Sequence, residues 1–399
     1  MIKANSLLYT IYVVLVIGII SAGVLLLASW HGKVNQFYQV KTDHYVAFDS
    51  MIEYVLSNQV EYTDAKLEQS SAHQLHYHGL LKVLNLVSYS ANDTLKKSVL
   101  IGSRQYKNTA LYLSNYAQGV STTAQVNING DLYLPDLYVK EIYVANSSNK
   151  FIHNGKKYLS EFLLPKINYL DKVRVDTTDL VSLRQLKPDK EGVYHNSFHQ
   201  TKKRILWPDN TAISGVTIKG NFEIISNDTL LIRKNAKLTD VVLYAPKVVI
   251  EDQFQGSLQV FATDQIQVGE QVKLEYPSVV ALKSTNESKG SIIIGKRSDI
   301  KGAVILLNNS FKDLSKKTMT IFDQTKIMGL VYCKGVLRLK AEVKGSVYAN
   351  KMVYHTKSSS YLNCLSGFRI DLNAKPKVFV DPVIFNQSIS YDEVIKTLY

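Results

Sequence analysis

The first strong feature of the chain is an uninterrupted apolar run near its N-terminus. Residues 7–30 read LLYTIYVVLVIGIISAGVLLLASW and contain no charged side chain. At 1.5 Å of rise per residue, a helix of this length crosses a hydrocarbon core of about 30 Å. Tyr9, Tyr12 and Trp30 lie near the ends of the run, where aromatic rings favour the membrane interface. The pattern predicts one transmembrane helix.

A cleaved signal peptide is the competing interpretation of this run. Signal peptides normally have an apolar region of about 7–15 residues, and the cleavage signal here is poor, which favours a retained anchor. From Val34 to Leu56 apolar residues recur at roughly helical spacing without a proline. We therefore expect the helix to continue as an amphipathic segment. Lys3 before the run and Lys33 and Lys41 after it leave the orientation almost undetermined.

The C-terminal half of the chain repeats one pattern of apolar and polar positions. From residue 211 onward, apolar triplets recur, and their last residues are Ile232, Ile250, Val268, Ile294, Ile321 and Leu339. The interval between triplets is about 18 residues, except for two longer intervals before Ile294 and Ile321. A second apolar anchor follows each triplet, and a position that permits a turn lies two residues after the anchor. Glycine occupies that position as Gly256, Gly302, Gly329 and Gly345, with Gly215 in an earlier copy.

A period of about 18 residues, with short strands separated by corners, is typical of a β-solenoid. One repeat cannot bury its inward Ile, Val and Leu side chains, whereas stacked repeats with parallel strands about 4.8 Å apart form a continuous apolar column. Glycine at a corner accommodates a backbone conformation that a Cβ would strain, or a close approach of successive repeats. The chain is therefore predicted to be mainly β, a single-stranded, right-handed parallel β-helix preceded by a transmembrane α-helix.

Changes in composition divide the chain into five predicted segments. These are the anchor helix with its amphipathic continuation (1–60), a connecting region of strands and turns (61–123), the first solenoid-like strands with a polar insertion (124–210), the β-helix (211–375) and a C-terminal cap (376–399). Some helix is expected around residues 180–186 of the insertion. Pro376 and Pro382 break the repeat, and the last segment is expected to cover strand edges that would otherwise invite association.

Two parts of the chain resemble known families. The rhythm apolar–x–Gly–x–Val in IKGAVI (300–305) and IMGLVY (327–332) resembles the bactofilins, polymer-forming cytoskeletal β-helix proteins, over about residues 211–350. Segment 1–60, with a very short tail, an apolar half and an amphipathic half, resembles the first helix of minor pilins and pseudopilins. In those families the apolar half packs in a filament core or stays in the inner membrane, and the rest faces the periplasm.

These resemblances imply a non-enzymatic structural protein of a bacterial cell envelope. We expect a single-pass protein of the inner membrane with a periplasmic bulk domain, in a homo- or hetero-oligomeric assembly. The most specific form of this hypothesis is a minor pilin- or pseudopilin-like component of a type II secretion or type IV pilus-like machine. The alternatives are a bactofilin-like cytoskeletal scaffold that polymerises on the cytoplasmic face and a carbohydrate-active β-helix enzyme.

The charged residues do not change the predicted fold or function. The 399 residues are 46% hydrophobic and 20% charged, as in ordinary globular proteins, and the net charge is +13. The lysines are scattered, and the tightest basic run is Lys202, Lys203 and Arg204. Solvated strand faces that keep a large β surface soluble explain this charge better than nucleic-acid binding does. No nucleic-acid partner is expected, whereas contact with an acidic polysaccharide stays open.

Candidate catalytic chemistry is sparse in the sequence. The motifs GxxxxGK[ST], GxGxxG and GxSxG, which cradle phosphates or place a nucleophile, do not occur. We therefore expect no enzymatic activity and no cofactor. The strongest acidic group is the row that follows the triplets, formed by Glu251, Asp252, Glu270 and Asp323. It is a candidate for Ca²⁺ binding, although a solvated corner is the favoured interpretation.

Histidine and cysteine add two open questions. His73, His76 and His78 are close together in the sequence, and His195 and His199 have the spacing of a helical pair, but neither group has the context of a metal site. We therefore expect no bound metal. Cys333 and Cys364 are separated by one or two repeats, so either a disulfide between neighbouring repeats or two buried free thiols is compatible with the spacing.

Overall fold

The computed structural model describes residues 4–58, 65–68, 71–90, 93–105, 108–143, 150–167, 179–284, 289–308, 314–356, 358–385 and 390–398. The helix α1 runs from Ala4 to Asn58, and short 3₁₀ turns span Leu183–Gln185 and Leu314–Lys316. The strands of the first half are β1 (Ala65–Glu68), β2 (Ser71–His78), β3 (Leu81–Tyr89), β4 (Thr94–Gln105), β5 (Thr109–Leu113), β6 (Val120–Asn129), β7 (Asp131–Leu134), β8 (Val139–Glu141), β9 (Lys150–Asn154), β10 (Lys157–Leu159), β11 (Leu180–Ser182), β12 (Val193–Asn196) and β13 (Lys203–Leu206). Those of the second half are β14 (Thr217–Gly220), β15 (Phe222–Ile225), β16 (Thr229–Ile232), β17 (Lys237–Ile250), β18 (Gln255–Val268), β19 (Lys273–Ser284), β20 (Gly290–Ile294), β21 (Asp299–Asn308), β22 (Lys317–Ile321), β23 (Lys326–Leu339), β24 (Glu342–His355), β25 (Ser360–Leu362), β26 (Cys364–Asp371) and β27 (Ser390–Leu398).

The protein is mainly β with one long apolar helix at its N-terminus, as the sequence predicts. The helix α1 has 55 residues, so the apolar run and its amphipathic continuation form a single element about 80 Å long. Its side chains from Leu7 to Trp30 are exposed. By length and composition, this helix is able to span a membrane.

The chain divides into two compact units, which are residues 1–74 with 86–97 and residues 75–85 with 98–399. In the first unit, one face of the C-terminal half of α1 is buried through Phe48, Met51 and Val55. Their spacing of three and four positions places them on one side of the helix. The amphipathic pattern predicted from Val34 to Leu56 is therefore confirmed only in its last part, because Val34, Phe37 and Tyr45 are exposed.

Polar contacts also hold this half of α1 within the first unit. The His44 Nδ1 and Ser88 Oγ atoms are hydrogen bonded at 2.8 Å, and both residues are buried. The Lys97 ammonium lies 3.6 Å from a carboxylate oxygen of Asp49. The helix therefore has an exposed apolar half and a half that is fixed to its own unit.

Strands β5–β26 form one 22-stranded sheet, here called the parallel array, in which every described pairing except that of β24 with β25 is parallel. The six triplet ends predicted from the sequence spacing pair in register in the order Ile232, Ile250, Val268, Ile294, Ile321, Leu339. All six are buried in one continuous hydrophobic core. The array includes a closed sheet of six parallel strands.

The order of strands in the array differs from their order in the chain. β5 pairs with β24 and β6 pairs with β26, so residues 109–129 extend the array beyond its last C-terminal strands. β7 then pairs with β5, and β10 pairs with β7. The apolar side chains of Leu111, Leu113, Val126 and Ile128 continue the core there. The array therefore includes part of the segment 61–123 that was predicted to be only a connection.

The C-terminal segment does not cap the array where the sequence analysis placed it. Instead, β27 pairs antiparallel with β4, from Ser390 opposite Gln105 to Leu398 opposite Ser98. The edge that a cap would cover is already paired with β5 and β6, which leaves the last residues for a second sheet of order β1-β2-β3-β4-β27. The segment around residues 180–186 also differs, because it forms β11 and a 3₁₀ turn rather than an α-helix.

A second hydrophobic cluster covers one outer face of the array. On the array it includes Val242, Tyr244, Phe261, Val279, Ile305, Leu330, Tyr332 and Tyr348. Leu80, Leu164, Ile167, Ile384 and Phe385 pack against this face from segments outside the repeats. One strand of each repeat is therefore buried on both sides, which explains why runs such as VVLYA and AVILL lack the alternation of a half-exposed strand.

The second unit also buries His78, whose ring is fixed by two neighbours. The Nε2 atom lies 2.9 Å from the carbonyl oxygen of Asp240, and the ring meets Phe198 edge-on with centroids 5.0 Å apart. Burial, followed by the nearby Lys202 ammonium, lowers the pKa of His78 from 6.5 to about 3. The neutral imidazole is therefore the form that the folded state accepts.

This burial predicts a loss of stability in mild acid. Because the folded-state pKa of His78 lies below its unfolded value, its contribution is fully present above about pH 6.5 and is lost as the pH falls toward 3. Between pH 6.5 and pH 5 we expect His78 alone to lower the free energy of unfolding by about 2 kcal/mol. Urea unfolding of the full chain in detergent micelles measures this. His78→Gln, which keeps a donor to Asp240, is expected to flatten the pH dependence, and an unchanged profile in this variant would contradict the assignment.

Candidate functional site

Each repeat turns one corner through a four-residue segment between the triplet and the next strand. These corner turns are residues 233–236, 251–254, 269–272, 295–298 and 322–325. In the last four, the third residue has a left-handed backbone, with φ between 57° and 64°. Neighbouring turns are also joined, because the Ser298 hydroxyl donates to the Gly269 carbonyl at 3.0 Å and the Thr325 hydroxyl donates to the Gly295 carbonyl at 2.8 Å.

The next corner is shorter than the five before it. Only Lys340 and Ala341 separate the end of β23 from the start of β24. Above this corner, β26 and β6 turn through local register shifts, at Gly367 with φ 65° and at Ala124 with φ 59°. Next to the turn 322–325, the neighbouring strands β24, β26 and β6 have no four-residue corner of the same kind. An open groove lies at this position.

We call this opening the corner groove, and its volume is about 470 Å³. It is lined by Gln125, Asn127, Gln324, Thr325, Lys326, Lys340, Ala341, Glu342, Gly367, Phe368 and Arg369. Thr325, Ala341 and Phe368 are buried, whereas Lys326, Lys340 and Arg369 are exposed. The groove thus presents mainly amide and charged groups over a small buried floor.

Charges in the groove follow the register of the array. Lys326 pairs with Glu342, Glu342 with Arg369, and Arg369 with Asn127. Arg369 donates to an oxygen of Asp371 at 3.0 Å. Lys326 and Lys340 form no ion pair with any described residue. Among the described residues, three cations and one carboxylate therefore line the groove, and two of the cations are free to interact with an anion.

Glycine lets the repeats approach closely at another corner. Gly302, Gly329 and Gly345 pair with one another in register, and their φ angles are 147°, 133° and 154°. A Cβ at Gly329 would overlap the carbonyl oxygen of Gly302, and one at Gly345 would overlap that of Gly329. These three positions need glycine both for their backbone conformation and for the distance between repeats.

Gly215 and Gly256 lie outside this glycine column. Ile213 bridges to Ile232, which aligns Gly215 with the four-residue corner turns rather than with Gly302. Gly256 pairs with Leu274 at the anchor position, and a Cβ there would meet the ring of Phe254. By sequence spacing Phe254 takes the place of the anchor before Gly256, but Phe254 is the last residue of the corner turn 251–254, so Gly256 does not belong to the glycine column.

A ladder of tyrosines was not foreseen from the sequence. Tyr332, Tyr348, Tyr112, Tyr133 and Tyr158 pair in register on five consecutive strands. Their ring centroids are 6.0, 5.9, 5.4 and 4.9 Å apart along this order. The first three rings are buried, and their hydroxyls reach the Pro165 carbonyl, the Gln105 amide and the Leu163 carbonyl. The ladder crosses from β24 to β5 and so supports their pairing.

Three of the four carboxylates in the acidic row lie beside basic side chains. Glu251 lies 3.0 Å from Arg233, and Glu270 lies 3.1 Å from Arg297. The backbone N–H of Lys234 and the Arg233 guanidinium hold the pKa of Glu251 below its usual value. Lys296 lies 3.8 Å from Asp323, and Asp252 accepts the backbone N–H of Glu270 at 2.7 Å. These contacts favour a solvated corner over a cation site.

The histidines do not converge on a metal site in the part of the chain that the structure describes. His73, His76 and His78 lie along β2, while His195 lies in β12 and His199 in the turn that follows it. No group of three or more His, Cys, Asp or Glu side chains among the described residues is placed to hold a metal ion.

The two cysteines are free thiols and both are buried. Cys333 pairs with Ala349 and Cys364 with Ser121, so they occupy different positions in the array. Burial raises the pKa of both thiols. Of the two arrangements that the sequence left open, the structure has the free thiols rather than the disulfide.

Comparison of the chain with family models, curated proteins and solved structures finds no match. The features of the molecule that bear on function are therefore α1, the parallel array and the corner groove.

Proposed function

We propose that the protein is a membrane-anchored structural component of the cell envelope, in which α1 is a single-pass anchor for a β-solenoid. The observation that carries this proposal is the division of α1 into two halves. The apolar residues 7–30 are exposed in the structure, whereas Phe48, Met51 and Val55 are buried. Exposed apolar surface of this extent calls for a membrane or other helices around it.

The solenoid part of the proposal is supported by the pairing of repeats. The six triplet ends lie in register on parallel strands, and three corner glycines allow successive repeats to approach closely. Stacked repeats of this kind contact mainly their neighbours and form long, regular surfaces. Such surfaces suit an architectural role better than one that requires a moving active site.

The most specific form of the proposal is a minor pilin- or pseudopilin-like subunit with its bulk domain in the periplasm. In favour of it, α1 is one uninterrupted helix that combines an apolar half with an amphipathic half. The bactofilin-like alternative places the same array in the cytoplasm. The two hypotheses differ in the side of the membrane on which the array lies.

Two arginines in the apolar run are expected to remove the protein from the membrane. The variant Val16→Arg/Ile20→Arg adds two charges on one face of α1, each costing about 3 kcal/mol at the centre of a bilayer. The matched control is Val34→Arg/Tyr38→Arg, at exposed positions beyond the run. In a Gram-negative host, we expect wild type and control to resist alkaline carbonate extraction and the first variant to be extracted. Extraction of the wild type would refute the anchor.

A reporter enzyme that is active only in the periplasm, fused after Tyr399, tests the side of the membrane. Periplasmic activity in the wild-type fusion is the expected result, because the proposal places the array outside the cytoplasmic membrane. A fluorescent protein that folds only in the cytoplasm, fused at the same residue, is the matched control and should be dark. The opposite pattern would overturn the envelope proposal in favour of the cytoplasmic scaffold.

A further inference from the structure

We infer that the corner groove binds an anionic oligosaccharide. The inference rests on the shape and lining of the groove and does not depend on the membrane anchor. The groove exists because the corner at Lys340 and Ala341 is two residues shorter than the five corners that precede it. Its volume of about 470 Å³ lies in the range of small-ligand sites, which is about 300–1,000 Å³.

The cations of the groove select a negatively charged ligand. Lys326, Lys340 and Arg369 line it, and Glu342 is the one carboxylate in its lining. Arg369 is already bonded to Asp371, but neither lysine forms an ion pair among the residues that the structure describes. Exposed ammonium groups contact carboxylate, sulfate or phosphate oxygens as point charges without a fixed direction.

The remaining side chains require a ligand that also carries hydroxyl groups. Gln125, Asn127 and Gln324 line the groove, and each amide offers both a donor and an acceptor. The Asn127 Oδ1 atom is buried and has no hydrogen-bond partner in the structure. Glu342 only accepts hydrogen bonds, so it repels a bare anion but accepts from a sugar hydroxyl. An acidic sugar chain meets both requirements, because its carboxylates face the lysines and its hydroxyls face the amides.

Isothermal titration of the full chain in polyoxyethylene detergent micelles tests this inference, with tetragalacturonate as the probe. We expect binding of tetragalacturonate, and at least tenfold weaker binding of the uncharged galactotetraose. The variant Lys326→Gln/Lys340→Gln is expected to weaken tetragalacturonate binding about tenfold, since each exposed charge contact contributes up to about 1 kcal/mol.

Lys237→Gln/Lys273→Gln is the matched control for charge. Both lysines begin strands that follow four-residue corners, at the same position of the repeat as Lys326. This control should bind tetragalacturonate as wild type does. An equal loss of affinity in the two double variants would overturn the inference, because it would show attraction to the basic surface as a whole.

A second variant tests the shape of the groove with all charges retained. Insertion of Asn-Gln between Lys340 and Ala341 restores a four-residue corner and should abolish binding by filling the groove, while an unchanged circular dichroism spectrum shows that the array is intact. Tetragalacturonate binding by the folded insertion variant would overturn the inference. Hexa-aspartate binding to the wild type as tight as that of tetragalacturonate would overturn the saccharide class in favour of an acidic peptide.

Discussion

Replacement of Gly329 by alanine is expected to lower the free energy of unfolding by about 3–4 kcal/mol. The φ angle of Gly329 is 133°, a conformation that residues with a Cβ rarely adopt. The added methyl group would also overlap the carbonyl oxygen of Gly302 on the neighbouring repeat. That oxygen belongs to the backbone, so relief of the overlap requires two parallel strands to separate in the middle of the array.

Urea unfolding of the full chain in detergent micelles measures this effect as a lower midpoint at unchanged slope. Gly119→Ala is the matched control, because Gly119 is exposed in a loop and no atom lies within 4 Å of a Cβ built there. Its midpoint should shift by less than the equivalent of about 1 kcal/mol. Equal shifts for Gly119→Ala and Gly329→Ala would show that the glycine column is not under steric constraint.

The sequence predicts the periodic features of this protein well, because they depend on local spacing. Apolar triplets that recur with a constant period must lie on neighbouring strands if each repeat is to bury its inward side chains. The apolar run 7–30 identifies a helix for a similar reason, since no charged residue interrupts it. The register of Ile250, Val268 and Ile294 in the structure agrees with this spacing.

Features that depend on distant parts of the chain could not be predicted in this way. β5 and β24 come from opposite halves of the chain, so no period in the sequence marks them as neighbours. The tyrosine ladder could not be predicted for the same reason, because Tyr112 and Tyr348 lie on these two distant strands. The C-terminal cap was misplaced because the edge that it was expected to cover is paired with strands from the N-terminal half.

The corner groove could be predicted from the sequence only in part. Its signal is present in the sequence, because four residues lie between Ile321 and Lys326 but only two lie between Leu339 and Glu342. The last triplet ends at Leu339, however, so no interval between triplets spans this corner. Only the strand boundaries show that the corner is short, and only the register shows that Gln125 and Asn127 reach it.

The charge of Glu223 is expected to stabilise the second unit by about 3 kcal/mol, since its buried carboxylate contacts two half-buried cations. Glu223 is 6% exposed, and its carboxylate lies 2.7 Å from the Lys202 ammonium and 3.2 Å from the Arg204 guanidinium. Lys202 also donates to the Tyr77 carbonyl at 3.0 Å. Glu223→Gln keeps the shape of the side chain and removes the negative charge that both cations contact.

The matched control for Glu223→Gln is Glu251→Gln, which breaks an ion pair with Arg233 in which both side chains are substantially exposed. Solvent screens that pair, so its loss should change the free energy of unfolding little. We expect the urea midpoint of the full chain to fall clearly for Glu223→Gln and to change little for Glu251→Gln. High salt should leave this difference largely intact, because a buried pair is screened less than an exposed one. Similar midpoints for the two variants would show that Lys202 and Arg204 are hydrated without the carboxylate, and that the contact does not hold β13 and β15 together.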